Sequence, residues 1–255
     1  MKQFLVFIVA LIIVSTAFGQ KKDTTALPTA VTATTPAAQP KKKDWSKIDL
    51  SRRANDHFMV QIGYDNLAAK PDTLTTAGIS RSFNFYFMLD FPFKTDPRLS
   101  VGAGLGIGNS NIFFKNQPAP LSATPRADGS GGDHFKKYKV VMTYLEIPLE
   151  LRYALDPENT NKSWKFALGA KVGTLLSEYA KGKNVENNAN QTTLSVVEKI
   201  KGNSYYNNIK LAGTARISKG VFGIFGQFQF TSLIKGAYTA SPVYPFSLGI
   251  CFSGL

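Results

Sequence analysis

Histidine and cysteine are scarce in this chain of 255 residues, which holds His57, His134 and the lone Cys251. One thiol cannot form an internal disulfide, although an exported domain of this size can live without one. Two histidines leave little that could converge into a nucleophile, a base or a metal-ligand set. The nearest approach is His134 with Asp128 and Asp133, and the stretch Asp128-Gly129-Ser130-Gly131-Gly132 among them reads as a glycine-rich loop. No catalytic, cofactor-binding or metal-binding residue is therefore expected. Acidic residues are also few: Lys and Arg number 30 against 17 Asp and Glu, a formal net charge of +13. Such an excess ordinarily suggests nucleic acid, but export would remove that partner and leave solubility and pairing within a lumen first, then anionic lipid, lipopolysaccharide or acidic cell-wall polymers.

Long hydrophobic runs are missing as well. The one apolar run, Phe4 to Val14, follows Met1-Lys2-Gln3 and leads to the small-residue stretch Ser15-Thr16-Ala17-Phe18-Gly19. Eleven helical residues span only about 16 Å, short of a bilayer. Residues 1–19 are thus expected to be a cleaved signal peptide, with Gln20 first in the mature chain and no cysteine there to carry a lipid. Nothing downstream has 18 consecutive apolar residues, so any membrane entry must be by strands.

Residues 20–56 begin with a Thr, Ala, Pro and Lys stretch that cannot bury enough surface to fold, and Lys41-Lys42-Lys43 close it. A flexible periplasmic tether and lead-in is expected there, its lysines suited to an acidic partner.

From residue 57 the dominant period is two, the period of a strand. Eight segments are predicted: 57–65, 80–91, 99–113, 138–153, 163–176, 205–218, 221–233 and 243–252. Each sets an apolar face against a polar, glycine-rich one. Phe83, Phe85, Phe87, Leu89 and Phe91 alternate with Ser82, Asn84, Tyr86 and Asp90, and Leu99, Val101, Ala103, Leu105 and Ile107 alternate with Gly102, Gly104, Gly106 and Gly108. Segments of ten or more residues suit a tilted membrane strand. Glycines suit a narrow lumen better than a solvated surface. Aromatic residues gather at the segment ends, Phe91, Tyr153, Trp164, Phe222 and Phe252 at one rim and Tyr64, Phe113, Tyr138, Tyr205 and Tyr206 at the other. Connections alternate in length: short turns at 92–98, 154–162 and 219–220, longer loops at 66–79, 114–137, 177–204 and 234–242. The expected fold is all-β, an eight-stranded antiparallel transmembrane barrel over 57–255, with short periplasmic turns and longer extracellular loops. Pro148, in mid-segment, predicts a β-bulge.

By parity, Glu146, Glu150, Arg152, Lys171, Lys210 and Arg216 all face the lumen. A hairpin around 154–162 would bring Glu146 near Lys171 and Lys171 near Lys210, with Glu150, Arg152 and Arg216 nearer the periplasm. Charges in so narrow a space must pair, which would close it to ions.

The stretch Tyr144-Leu145-Glu146-Ile147-Pro148-Leu149-Glu150-Leu151-Arg152-Tyr153 resembles a sequence often met in the PorT-like outer-membrane β-barrel family of Bacteroidetes. The signal peptide, the eight segments and the aromatic last strand fit that resemblance. It implies an outer-membrane barrel and, through PorT, an association with type IX secretion. The expected function is non-enzymatic: envelope structure or recognition through extracellular loops, in contact with outer-membrane lipid, lipopolysaccharide and envelope proteins. Two rivals stand beside it, an accessory component of a type IX secretion machine and a soluble exported β-protein binding an apolar ligand.

Overall fold

A computed structural model describes residues 57–71, 74–126, 132–202, 205–236 and 242–254. The signal peptide and tether expected over 1–56, and Asp128, lie outside these. The strands are β1 (Phe58–Ala68), β2 (Arg81–Pro92), β3 (Leu99–Phe114), β4 (Gln117–Pro118), β5 (His134–Ala154), β6 (Trp164–Glu186), β7 (Thr192–Ile200), β8 (Ile209–Lys219), β9 (Phe222–Gln229) and β10 (Tyr244–Ser253).

Pairing is antiparallel throughout and runs β5-β3-β2-β1-β10-β9-β8-β6, after which β6 pairs back onto β5 and the ring of eight closes. Closure leaves the ring of eight without an edge strand, the condition for crossing a bilayer with strands. The first and last strands meet in continuous register, Ile62 against Ile250 and Gly63 against Gly249. Eleven residues tilted by about 45° cover about 26 Å, close to the about 25 Å apolar band of outer-membrane barrels.

The wall points its apolar side outward. Phe83, Phe85, Phe87, Leu105, Ile107, Ile147, Leu149, Leu168, Ile224 and Leu248 are all exposed, while Gln61, Ser82, Asn84, Glu146 and Lys171 on alternate positions are buried. In water such a surface would be untenable; in lipid it is the stable arrangement. This overturns the reading as a soluble apolar-ligand binder, which needs the apolar set inside.

Pro148 makes no bulge of its own. The β3–β5 register passes unchanged from Ala103–Leu149 to Gly106–Glu146, with pairing interrupted across the two residues between. Its missing N–H falls in that gap, and the other side of the residue stands opposite Lys171 in an unbroken β5–β6 register. The register shift lies higher, between Thr143 and Tyr144. At the tight β8–β9 turn Gly220 has φ +62°, and a Cβ there would lie 2.6 Å from the Asn161 carbonyl of the neighbouring turn, so the position requires glycine.

Two further expectations are corrected at the long-loop end. The stretch 177–204, read as a loop, is largely a hairpin in which β6 runs on to Glu186 and turns back as β7. The Asn187 side chain forms the turn, accepting the N–H groups of Ala189 and Gln191, both at 3.0 Å. Tyr138 and Tyr206, assigned to an aromatic rim, point inward and are fully buried. They join Ile112, Phe114, Phe135, Met142, Tyr144 and Leu233 in an apolar core at the long-loop end of the barrel. Their hydroxyls donate to the carbonyls of Ser122 (3.0 Å) and Ala123 (2.8 Å), pinning the β4–β5 connection across the barrel mouth.

Candidate functional site

The polar interior is the most highly organised chemistry in the chain, and glycine makes room for it. Glu146 on β5 is flanked in register by Gly106 on β3 and Gly173 on β6; Glu150, one storey toward the short-turn end, is flanked by Gly102 and Gly169. A Cβ at Gly108 would lie 2.5 Å from Glu146 Oε1, and one at Gly102 the same distance from Arg152 Nε. The glycine ladder of β3 is thus the floor on which the buried charges of β5 lie.

In the middle storey Lys210 Nζ donates to Glu146 Oε1 at 2.7 Å, and Tyr86 Oη donates to Glu146 Oε2 at 2.5 Å. Lys171 Nζ donates to Tyr86 Oη (2.8 Å), Gln61 Oε1 (3.0 Å) and Gln227 Oε1 (3.0 Å), which accounts for all three of its protons. Glu146 and Lys171 have no exposed surface. Glu146 therefore pairs directly with Lys210 and reaches Lys171 only through Tyr86, contrary to the expected Glu146–Lys171 contact. The reason is register: Glu146 stands opposite Gly173, which stands opposite Lys210, whereas Lys171 stands opposite Pro148.

The lower storey holds Glu150, whose Oε2 accepts from Arg216 at 2.8 Å and Arg152 at 3.0 Å. Arg152 also approaches Asp90 (3.5 Å), which accepts from Ser100 at 2.7 Å, and Arg216 donates to Ser253 at 2.9 Å. Nearer the mouth, Asp65 accepts from Ser82 (2.7 Å) and from Ser110. Multidentate, charge-assisted bonds of this kind are what a buried ion needs to offset its desolvation.

Of the six residues that parity places in the lumen, the structure joins Glu146 to Lys210 and Glu150 to Arg152 and Arg216, with Lys171 linked to Glu146 through Tyr86. Gln61, Asp65, Tyr86, Asp90 and Gln227 were missed as partners, although each shares the inward parity that could have found it. Lumen cavities beside Asp65 and Asp90 measure about 20 Å³ each, room for one water. His134 is at the start of β5, in register with Glu186, and His57 is at the other end of the barrel wall.

A closed ring of eight antiparallel strands, apolar outside and charged within, defines a transmembrane β-barrel. The chain belongs to the outer membrane protein beta-barrel domain family, which it matches over residues 37–234. It is a bacterial outer-membrane protein. Among solved structures it is similar to Ail, the attachment invasion locus protein of Yersinia pestis. In the structure with the heparin analogue sucrose octasulfate, identity is 14% over 77% of this chain and 97% of Ail, with a TM-score of 0.33. A second Ail structure gives 15% identity over the same shares and a TM-score of 0.29. The curated proteins give no match.

Proposed function

We propose that the protein is a non-enzymatic recognition barrel: the membrane part is an anchor with a shut lumen, and the working surface is the platform that β5, β6 and β7 raise beyond the bilayer. One observation carries this reading. The long-loop end, which faces the exterior in barrels of this type, is a continuation of the wall with its own apolar core. A surface held that rigidly can keep a binding face in shape without a partner to order it. The interior supports the same reading from the other side, since filled storeys of paired charges leave no path for solute.

The test places a photo-crosslinking residue at Val197 of β7 or, as a control, at Ile147 in the apolar belt, on intact cells. Capture of a surface protein or glycan from Val197 alone is the expected result. Equal capture from both positions, or none from Val197, would contradict it.

PorT-like membership and an accessory role in type IX secretion form a finer reading, supported by the stretch Tyr144–Tyr153. Deletion of the gene should then leave type IX cargo inside the cell; normal cargo release would end that reading.

A further inference from the structure

Just above the apolar belt the outward face of the wall changes character. Along β1, β2, β3, β5 and β6 the row Tyr64, Arg81, Asn111, Val141 and Tyr179 stands in register beyond the belt, separated from Ile107 and Leu145 by the polar Asn109, Thr143 and Ser177. The next row outward is Phe113, Lys139, Lys181 and Lys199, and above it Lys137 stands opposite Lys183. Three lysine pairs, Lys137–Lys183, Lys139–Lys181 and Lys181–Lys199, are therefore direct cross-strand neighbours. Like charges so placed destabilise a sheet.

No carboxylate of these strands shares the face. Glu178 and Glu186 are buried on the opposite side, and Glu198 stands opposite Gly182, also on that side. Lys139 has an amide and a ring for company, Asn111 Oδ1 at 3.0 Å and the Phe113 ring at 5.8 Å; Lys199 lies 3.9 Å over the Tyr179 ring. Burial, then the neighbouring Lys181 and Arg81, hold the Lys139 ammonium below its usual value. Beside the cluster the wall opens into a crevice of about 490 Å³, lined by Ile79, Arg81, Phe113 and Lys137. Its lining sets the apolar Ile79 and Phe113 beside the cationic Arg81 and Lys137.

We propose that Arg81, Lys137, Lys139, Lys181, Lys183 and Lys199 form a site for the phosphorylated headgroup of an outer-leaflet lipid, with the crevice beside Ile79 and Phe113 taking the apolar portion next to that headgroup. Height selects this ligand. Arg81 stands in the row of the interfacial rings Tyr64 and Tyr179 and the lysines follow that row by one or two residue pairs, which puts the cations at the level where lipid headgroups meet water. A soluble polyanion would be served equally well by cations at the loop tips. The cross-strand repulsion is relieved by bound phosphate, which gives the arrangement a physical reason.

The test uses the full barrel in nanodiscs of phosphatidylcholine carrying either a bisphosphorylated lipid A or the same lipid dephosphorylated. Native mass spectrometry should show retained phosphorylated lipid and little of the dephosphorylated form. Since each lysine beside an anionic surface changes binding roughly fivefold, joint replacement of Lys137, Lys139, Lys181 and Lys183 by Gln should cut retention at least about tenfold. Replacing Lys94 and Lys162 at the short-turn end should not. The four-fold variant should unfold at the same or a higher temperature than the parent in plain phosphatidylcholine, because repulsion has been removed. Should it not fold, Lys181→Gln alone, at the centre of the cluster, carries the same test with a smaller loss. Undiminished retention by the variants, or equal retention of the dephosphorylated lipid, overturns the proposal. Binding of inorganic pyrophosphate without retention of lipid also overturns it, by assigning the site to a free anion.

Discussion

Glu146 on β5 takes the ammonium of Lys210 on β8 at 2.7 Å, reaching across the strand between them because that strand offers only Gly173 at this level. A buried pair of this kind is costly to break from one side. Replacing Glu146 by Ala should destabilise the barrel by roughly 3 to 5 kcal/mol, since the Lys210 charge is left behind. Urea unfolding in lipid measures it. Glu146→Ala with Lys210→Ala should recover a large part of the loss, and strictly additive effects would show that the pair carries no coupling. Glu146→Ala with Lys171→Ala should recover less, as those two communicate through Tyr86.

The glycine floor makes a second prediction. At Gly106 a Cβ would lie 2.1 Å from the backbone carbonyl of Phe85 and 2.5 Å from the Tyr86 ring. A carbonyl in a closed wall has no room to yield, so Gly106→Ala should cost more than the about 1 to 3 kcal/mol usual for overpacking. Loss of the heat-modifiable gel shift would report it. At Gly78, where nothing lies within 4 Å of a Cβ but φ is +56°, Ala should cost no more than the strain of that backbone. Equal effects at the two positions would refute the packing argument.

Period two accounts for how much of this was legible. The alternation of Phe83, Phe85 and Phe87 with Ser82, Asn84 and Tyr86 fixes which residues face lipid, because a slip by one residue would turn every side chain over. A slip by two preserves the faces and changes every partner. That is why Glu146 could be placed inside from sequence yet assigned to Lys171, when the actual register sets it opposite Gly173. The outer extension was hidden for a different reason. Beyond the bilayer neither face of β7 is buried, so Thr192 to Ile200 carries no alternation, and its hairpin rests on the Asn187 turn. Tyr138 and Tyr206 look like rim residues for as long as the core that receives them is unseen.

Glu178 supplies a pH-dependent prediction for that outer core. Its side chain is fully buried on β6 beyond Leu176, the last exposed large apolar residue of that strand, with Oε1 accepting the Gly202 N–H, and burial raises its carboxyl above the ordinary carboxylate value. The folded protein thus holds this proton to higher pH than the unfolded chain does. Stability from this source is full below the unfolded pKa and is lost as pH rises through the raised value. Hydrogen exchange at Gly202 and its neighbours should quicken across that window beyond the ordinary pH dependence of exchange, and Glu178→Gln, which keeps an acceptor without the charge, should remove the extra change. An unaltered profile in that variant would assign the effect to another group.

The central claim is that the apolar face of the wall meets lipid while the interior is filled. Fluorescence quenching by acyl chains carrying bromine tests it most directly. Trp45 and Trp164, the tryptophans of the chain, are replaced by Phe, and single tryptophans are introduced at Phe85, Ile147, Ile224 or, as a control beyond the bilayer, Asn188. Strong quenching at the first three positions, on three different strands of the ring, with none at Asn188, is the predicted result. Absence of quenching at Phe85, Ile147 and Ile224 in a protein that still shows its folded gel shift would contradict the account.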